Sequence, residues 1–175
     1  MQDRKAEFGR ELIAFLPNLR RFAISLCQSR ELADDLVQAA CERALVSWAA
    51  FVPGTRFDAW MFRILRNLWI DHLRRQRTQG QQEEISARED LVGASGERVT
   101  EARLTLATVS TAISRLPAEQ REVLLLVCVE ELSYREAADI LDVPLGTVMS
   151  RLARARKAVA AATGISAEVS RYDET

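Results

Sequence analysis

The sequence predicts an all-α fold of two small helical domains joined by a flexible linker. Three observations predict it. The 175-residue chain has only four prolines and seven glycines, and is rich in Ala, Leu, Arg and Glu, which lose little on entering a helix. Apolar residues recur at helical spacing in two blocks. Between the blocks, Thr78-Gln-Gly-Gln-Gln-Glu-Glu and Gly93-Ala-Ser-Gly96-Glu have little periodicity and little bulk, the composition of a linker. The organisation expected is a first domain over 1–78, a linker over 79–103, a second domain over 104–164 and a polar, frayed tail over 165–175.

In the first block, residues 4–27 read as helix, with Pro17 expected to break it or to open a second piece at a first-turn position. Residues 30–48 form an amphipathic helix. Ala33, Leu36, Val37, Ala40 and Ala44 share one side, while Glu31, Asp35, Gln38 and Glu42 recur at i, i+4, i+7 and i+11 on the other. Val52-Pro53-Gly54-Thr55 is a turn. A long helix rich in Trp, Phe and Arg follows, from about Phe57 to Arg77.

In the second block a helix ends near Leu116. Pro117 opens the next, Ala118 to Val129, with acid in its first turn. Ser133-Tyr-Arg-Glu136 is a capping box that starts a helix to Leu141. Asp142-Val-Pro-Leu-Gly146 is a tight turn, and Thr147 begins a helix to Ala162 that Gly164 stops.

Composition, 48% apolar and 28% charged with a net charge of −1, is that of a globular protein with a core. Charge is unevenly spread. From Val143 to Ala167 there is no acid, but there are Arg151, Arg154, Arg156 and Lys157; from Met61 to Arg77 five arginines face one acid, Asp71. Such local basic fields are what a DNA backbone responds to.

Two short helices, a turn containing Gly and a basic second helix describe a helix-turn-helix over residues 133–162. Val148, Leu152, Ala155 and Val159 form a packing stripe. Ser150, Arg154 and Lys157 point away from it, Thr147 flanks them, and Arg151 and Arg156 lie at its edges. This is how a recognition helix is built: its first turns reach base edges, and flanking cations hold phosphates. Arg154 could pair with guanine O6 and N7.

Cys27, Cys41 and Cys128 have no metal-ligand spacing and read as reduced, buried thiols, a redox switch being the alternative. His72, the only histidine, sits beside Arg74 and Arg75 with no metal or nucleophile cluster, so neither an enzyme, a cofactor nor a metal site is expected. No apolar run is long enough to span a bilayer, and no signal-peptide h-region is seen; a cytoplasmic protein is expected.

Leu116-Pro-Ala-Glu-Gln-Arg-Glu-Val-Leu124, Leu132-Ser-Tyr-Arg-Glu-Ala-Ala138, Gly146-Thr-Val-Met-Ser-Arg151 and Ala153-Arg-Ala-Arg156 resemble region 4 of the extracytoplasmic-function sigma factors. Ala33-Asp-Asp-Leu-Val-Gln38, Phe51-Val-Pro-Gly54, Ala59-Trp60 and Arg63-Ile-Leu-Arg-Asn67 resemble region 2. The likeness is nearest the alphaproteobacterial general-stress branch. It implies a factor that binds core RNA polymerase, through the β′ clamp helices and the β flap, recognises −10 and −35 promoter elements and promotes melting. It also implies an anti-sigma factor as partner.

The resemblance further implies roles for single residues. Asp35, Leu36, Val37 and Gln38 match the surface that docks on the β′ clamp helices, with Ala39 where many relatives carry Glu. Asn67 matches a position that helps hold a flipped −10 base, a task its amide suits by pairing in both donor and acceptor senses. Trp60 and Trp69 either stack on bases or belong to the core. Arg63, Arg66, Arg74 and Arg75 track phosphates. Ser150 and Arg154 match −35 contacts, while Met149 and Ala153 depart from relatives with Arg and an aromatic there, which points to a different −35 sequence. A dimeric repressor would explain the second block but leave Asp35–Gln38 and Asn67 without a task. A mimic of such a factor, which sequesters an anti-sigma factor, would need neither Asn67 nor Arg154.

Overall fold

The structure, a computed structural model, describes residues 2–52, 54–78 and 101–164, with the backbone alone for Gln2 and for 101–105. Among the described residues every regular element is a helix. The first domain consists of α1 (Gln2–Cys27), α2 (Arg30–Ser47), a 3-10 turn (Trp48–Ala50) and α3 (Phe57–Thr78). The second consists of α4 (Glu101–Ser114), α5 (Ala118–Leu124), a π-helical turn (Leu125–Val129), α6 (Tyr134–Leu141) and α7 (Leu145–Thr163). The expected linker and tail fall outside the described residues, except that α4 already begins at Glu101.

α1 corrects the expectation at Pro17, since it runs unbroken through that residue. Leu12, Leu19, Phe22 and Leu26 are buried on both sides of the proline, at the spacing of one helix face. That packing outweighs the roughly 3 kcal/mol an interior proline costs. Ile13, one turn back, is 69% exposed, so the carbonyl left without a donor lies on the solvent side. α2 begins at the N-cap Ser29, whose hydroxyl accepts from Leu32 N–H at 3.3 Å. Ala33, Ala40 and Ala44 are fully buried, and their small side chains let α1 and α3 approach closely.

The turn before α3 is closed by Thr55 N–H donating to the Val52 carbonyl at 3.2 Å, with Gly54 at φ +88°, where a side chain would be strained. Phe8 meets Phe57 and Trp60 edge-on, at 5.5 and 5.9 Å between centroids. Phe22 meets Phe62 at 4.8 Å. Such pairs add about 1 kcal/mol each beyond area burial.

In the second domain, the helix expected from Ala118 to Val129 divides. Glu130 N–H bonds the Leu125 carbonyl, five residues back, at 3.0 Å, which widens the last turn. The capping box is as expected: Glu136 N–H donates to Ser133 Oγ at 3.2 Å, and Ser133 N–H to Glu136 Oε2 at 2.7 Å. α6 ends on Asp142 in the left-handed region, φ 52°. α7 starts two residues earlier than expected, because Pro144 supplies an N-cap with φ near −58° and accepts from Thr147 N–H at 2.9 Å. Gly146 therefore lies in the first turn of the helix. Gly164 ends it at φ 68°, as expected.

The two domains pack on each other, α1 against α5 and α3 against α6. Arg121 and Glu122 are buried in α5, at 8% and 7% exposure.

Candidate nucleic-acid interface

α7 is positioned by its apolar stripe. Val148, Leu152 and Ala155 are buried and Val159 is half-buried, which turns Ser150, Arg154 and Lys157 to solvent. These three share the exposed face, with Met149 and Ala153 also exposed beside them. Arg154 is held by its own helix. It donates from Nε to the Ser150 carbonyl at 3.2 Å and from Nη2 to Ser150 Oγ at 3.3 Å, and Ser150 Oγ donates to the Thr147 carbonyl at 3.0 Å. The edge arginines are engaged inside the domain. Arg151 pairs with Glu119 at 2.7 Å, and Arg156 donates to Cys128 Sγ at 3.6 Å. Thr147 is half-buried.

α3 carries the other candidate set. Asn67, Arg74 and Arg75 are exposed; Arg74 lies 3.6 Å from Asp71, and Arg75 donates to the Asp71 carbonyl at 3.3 Å. Trp60 belongs to the aromatic cluster with Phe8, Phe51 and Phe57. Trp69 is buried, 6% exposed, and stacks on His72 at 5.7 Å. Both tryptophans thus serve packing, and His72 is half-buried rather than displayed beside the arginines.

Arg63 and Arg66 reach the second domain, Arg63 from an exposed position and Arg66 half-buried. Arg63 donates to the Asp139 carbonyl at 2.8 Å. Arg66 donates to the Ile140 carbonyl at 3.4 Å and pairs with Glu122 at 3.4 Å. Arg56, at the head of α3, pairs with Asp58 and reaches Glu136 at 3.3 Å. On the α1 side, Arg21 pairs with Glu130 at 2.9 Å. Arg121 donates to the Leu26, Ser114 and Leu116 carbonyls at 3.3, 3.1 and 3.1 Å, and its Nε is left without a partner. Burial lowers the Arg121 pKa, against the pull of Glu122, and burial raises that of Glu122 despite Arg66, Arg121 and Arg151. The sequence reading missed Arg121 and Glu122. Their only signal is two adjacent charges directly before the buried apolar run Val123–Leu126.

On α2, Asp35 and Gln38 are exposed and Gln38 donates to Glu42 at 3.1 Å. Val37 is half-buried. Leu36, expected on the docking face, is 6% exposed and turned into the core, because it shares the stripe of Ala33 and Ala40. Val46, 87% exposed, continues the polar face.

Among the described residues no group of three or more His, Cys, Asp or Glu could hold a metal ion, and no helix is long and apolar enough to cross a membrane. Cys27 is buried, Cys41 half-buried and Cys128 exposed, so the expectation of buried thiols fails at Cys128, which lies on the π-helical turn. Fold and surface together define a helical, two-domain DNA-binding protein with a helix-turn-helix.

Comparison with known proteins narrows that class. Residues 13–79 match the family described as Sigma-70 region 2, and residues 106–159 that described as Sigma-70, region 4. The chain is 38% identical over 151 residues to the ECF RNA polymerase sigma factor EcfG of Rhodopseudomonas palustris, covering 86% of this chain and 82% of that one. It is 34% identical over 157 residues to the probable RNA polymerase sigma-C factor of Mycobacterium bovis, covering 87% and 83%. Among solved structures it resembles the sigma factor RpoE of Bartonella quintana in complex with the anti-sigma factor NepR. That likeness has a TM-score of 0.76 and 32% identity, and covers 91% of this chain and 98% of that one. The chain belongs to the extracytoplasmic-function sigma factors, the promoter-recognising subunits with which core RNA polymerase initiates transcription.

Proposed function

We propose that the chain divides promoter recognition between its two domains. α7 enters the major groove at the −35 element. Ser150 and Arg154 read base edges there, and Lys157, Thr147, Arg151 and Arg156 serve the flanking backbone. α3 works at the −10 element, where Asn67 holds an unstacked base and Arg63, Arg66, Arg74 and Arg75 follow the strand. Trp60 supports this helix from the aromatic cluster rather than stacking on a base. Asp35, Gln38 and the exposed part of Val37 dock on the polymerase β′ clamp helices, with Leu36 backing them from the core. The second domain meets the β flap.

The observation that carries the reading is the Ser150–Arg154 pair: an arginine pre-oriented by its own helix and turned to solvent on the recognition face. Ordering Arg154 before binding lowers the entropy lost on contact. The two-domain likeness to a sigma factor held by the anti-sigma factor NepR supports an anti-sigma partner and a place in a stress response. The work is done in the cytoplasm, with no cofactor and no catalytic step.

The test is run-off transcription with purified core polymerase on promoters mapped by transcription-start sequencing after overexpression. Initiation from a defined −35/−10 pair is expected. Intact core binding with no initiation from any such promoter would overturn the reading.

A further inference from the structure

α7 carries more on its outer side than hydrogen-bonding groups. Leu145 and Met149, its exposed large apolar side chains, are 39% and 48% exposed, and neither belongs to the buried stripe of Val148, Leu152 and Ala155. They stand one turn apart, with exposed Ala153 a turn further on, so the three form an apolar edge along the helix. At about 3.6 residues per turn this edge runs down one flank of the Ser150–Lys157 face, and Arg154 and Thr147 lie on the other flank. Helical side chains lean toward the N-terminus, so Met149 covers the surface near Leu145 and Gly146. That is the end of a recognition helix that contacts base edges. Gly146 is exposed there, and a Cβ added to it would meet nothing within 4 Å. Nothing inside the chain calls for a glycine at that helical position. The bare backbone leaves room beside Met149 for a group from outside.

Hydrogen bonding gives this edge no strong partner in DNA, since a thioether is at most a weak acceptor. The major groove does offer one apolar group, the C5-methyl of thymine. A methionine suits it, because the side chain is unbranched and its polarizable sulfur adapts to an irregular surface. We infer that Met149 is a specificity-determining residue of α7, which packs on a thymine methyl of the −35 element at a base pair other than the one Arg154 reads. The two base pairs differ because the two side chains lie on opposite flanks. Leu145, on the same edge, shields the contact from water. A protein surface is the rival occupant of an apolar edge, and the surrounding charge decides against it. No acid occurs from Val143 to Ala167, and Arg154 and Lys157 stand beside the edge, a field that suits a polyanion. The inference rests on the reading of α7 as the −35 helix, and the test separates the two.

The probe is a promoter fragment whose start site has been mapped by sequencing, bound by holoenzyme reconstituted from core polymerase and the full chain. Each thymine of the −35 element, on either strand, is replaced singly by deoxyuridine. This removes the methyl and leaves every hydrogen-bonding group of the base in place. One replacement is expected to weaken wild-type binding about fourfold, the worth of one buried methyl group. The same replacement should change binding by Met149→Ala holoenzyme less than about 1.5-fold, the scatter of such a cycle. A −35 element without thymine, or one in which no deoxyuridine weakens wild-type binding, would overturn the inference. A loss of equal size in wild type and Met149→Ala would do the same, since another side chain would then read the methyl. If Met149→Ala impairs assembly with core polymerase and leaves the deoxyuridine effect intact, the edge is a protein contact and the inference falls. In each of these cases a loss confined to one base pair in Arg154→Ala keeps α7 as the −35 reader. If neither variant changes binding to any −35 substitution, the assignment of α7 itself falls, and the inference with it. Met149→Gln, of similar length without the apolar end, repeats the comparison if Met149→Ala loses helicity.

Discussion

The two basic helices of this sigma factor stand in opposite conditions. α7 turns Ser150, Arg154 and Lys157 to solvent, and Arg154 is bonded only to its own helix. α3 ties Arg63 and Arg66 to the neighbouring domain and leaves Asn67, Arg74 and Arg75 exposed, the last two bonded only within their own helix. Both are arginine-rich, amphipathic helices. What separates them is which oxygens lie across from their guanidinium groups. Basic composition marks where nucleic acid can bind; tertiary packing decides whether it can do so at once. On the assignments proposed above, the −35 reader faces solvent alone, while the −10 reader shares Arg63 and Arg66 with the neighbouring domain.

The residue whose loss should disturb this contrast most is Arg121, because it holds the second domain against the end of α1. Arg121→Ala leaves the Leu26, Ser114 and Leu116 carbonyls without this donor. Each buried acceptor left unpaired costs about 1–3 kcal/mol, less where water can enter. A destabilisation of about 3 kcal/mol is expected, read as the shift in urea midpoint. A shift below about 0.5 kcal/mol, the level of an ordinary surface substitution, would mean that the clamp contributes little and that the closed arrangement is held elsewhere.

Arg154→Ala sharpens the other side of the contrast. An arginine that reads a base contributes about 1–3 kcal/mol of discrimination at one position. Competition binding against singly substituted −35 duplexes should show a loss of about 2 kcal/mol confined to one base pair. A loss spread evenly over all sequences would make Arg154 a phosphate contact, no different in kind from Lys157.

What the sequence disclosed and what it hid follow the same division. The α2 stripe, the Ser133–Glu136 box, the Val148–Leu152–Ala155 face and the stop at Gly164 are set by residues within a few positions of one another. Their spacing is enough to find them. Pro17 misled because its effect is overruled by packing on α2 and α3, which no local rule contains. Leu36 was assigned to a surface by likeness, although its own stripe already placed it inside. Arg66 meets Glu122 across 56 positions and Arg21 meets Glu130 across 109. No periodicity in one sequence encodes such partners, so the domain contact was out of reach.

Asn67→Ala tests the exposed part of α3, which the domain contact leaves alone. An amide that holds an unstacked base should matter after melting begins, so open-complex formation on duplex templates should fall by about tenfold, near 1.4 kcal/mol. Closed-complex binding should change by less than about twofold, a few tenths of a kcal/mol. Equal losses in open- and closed-complex formation would remove the base-holding role and leave Asn67 as a general contact.

The smallest effect concerns Glu122, the acid that faces Arg66 across the domain contact. Its carboxyl is raised above the ordinary glutamate value of 4.5, chiefly by burial, with Arg66, Arg121 and Arg151 pulling the other way. A group whose folded pKa is raised contributes stability that is fully present below its unfolded pKa and is lost as pH rises through the folded value. The wild-type chain should therefore lose melting temperature between pH 4.5 and neutrality relative to Glu122→Gln, which cannot titrate. The difference should be a few degrees, about 1 kcal/mol or less for a domain pair of this size. A difference of the opposite sign would mean that attraction to Arg66 outweighs the burial of Glu122. The domain contact would then be held by an ion pair at neutral pH.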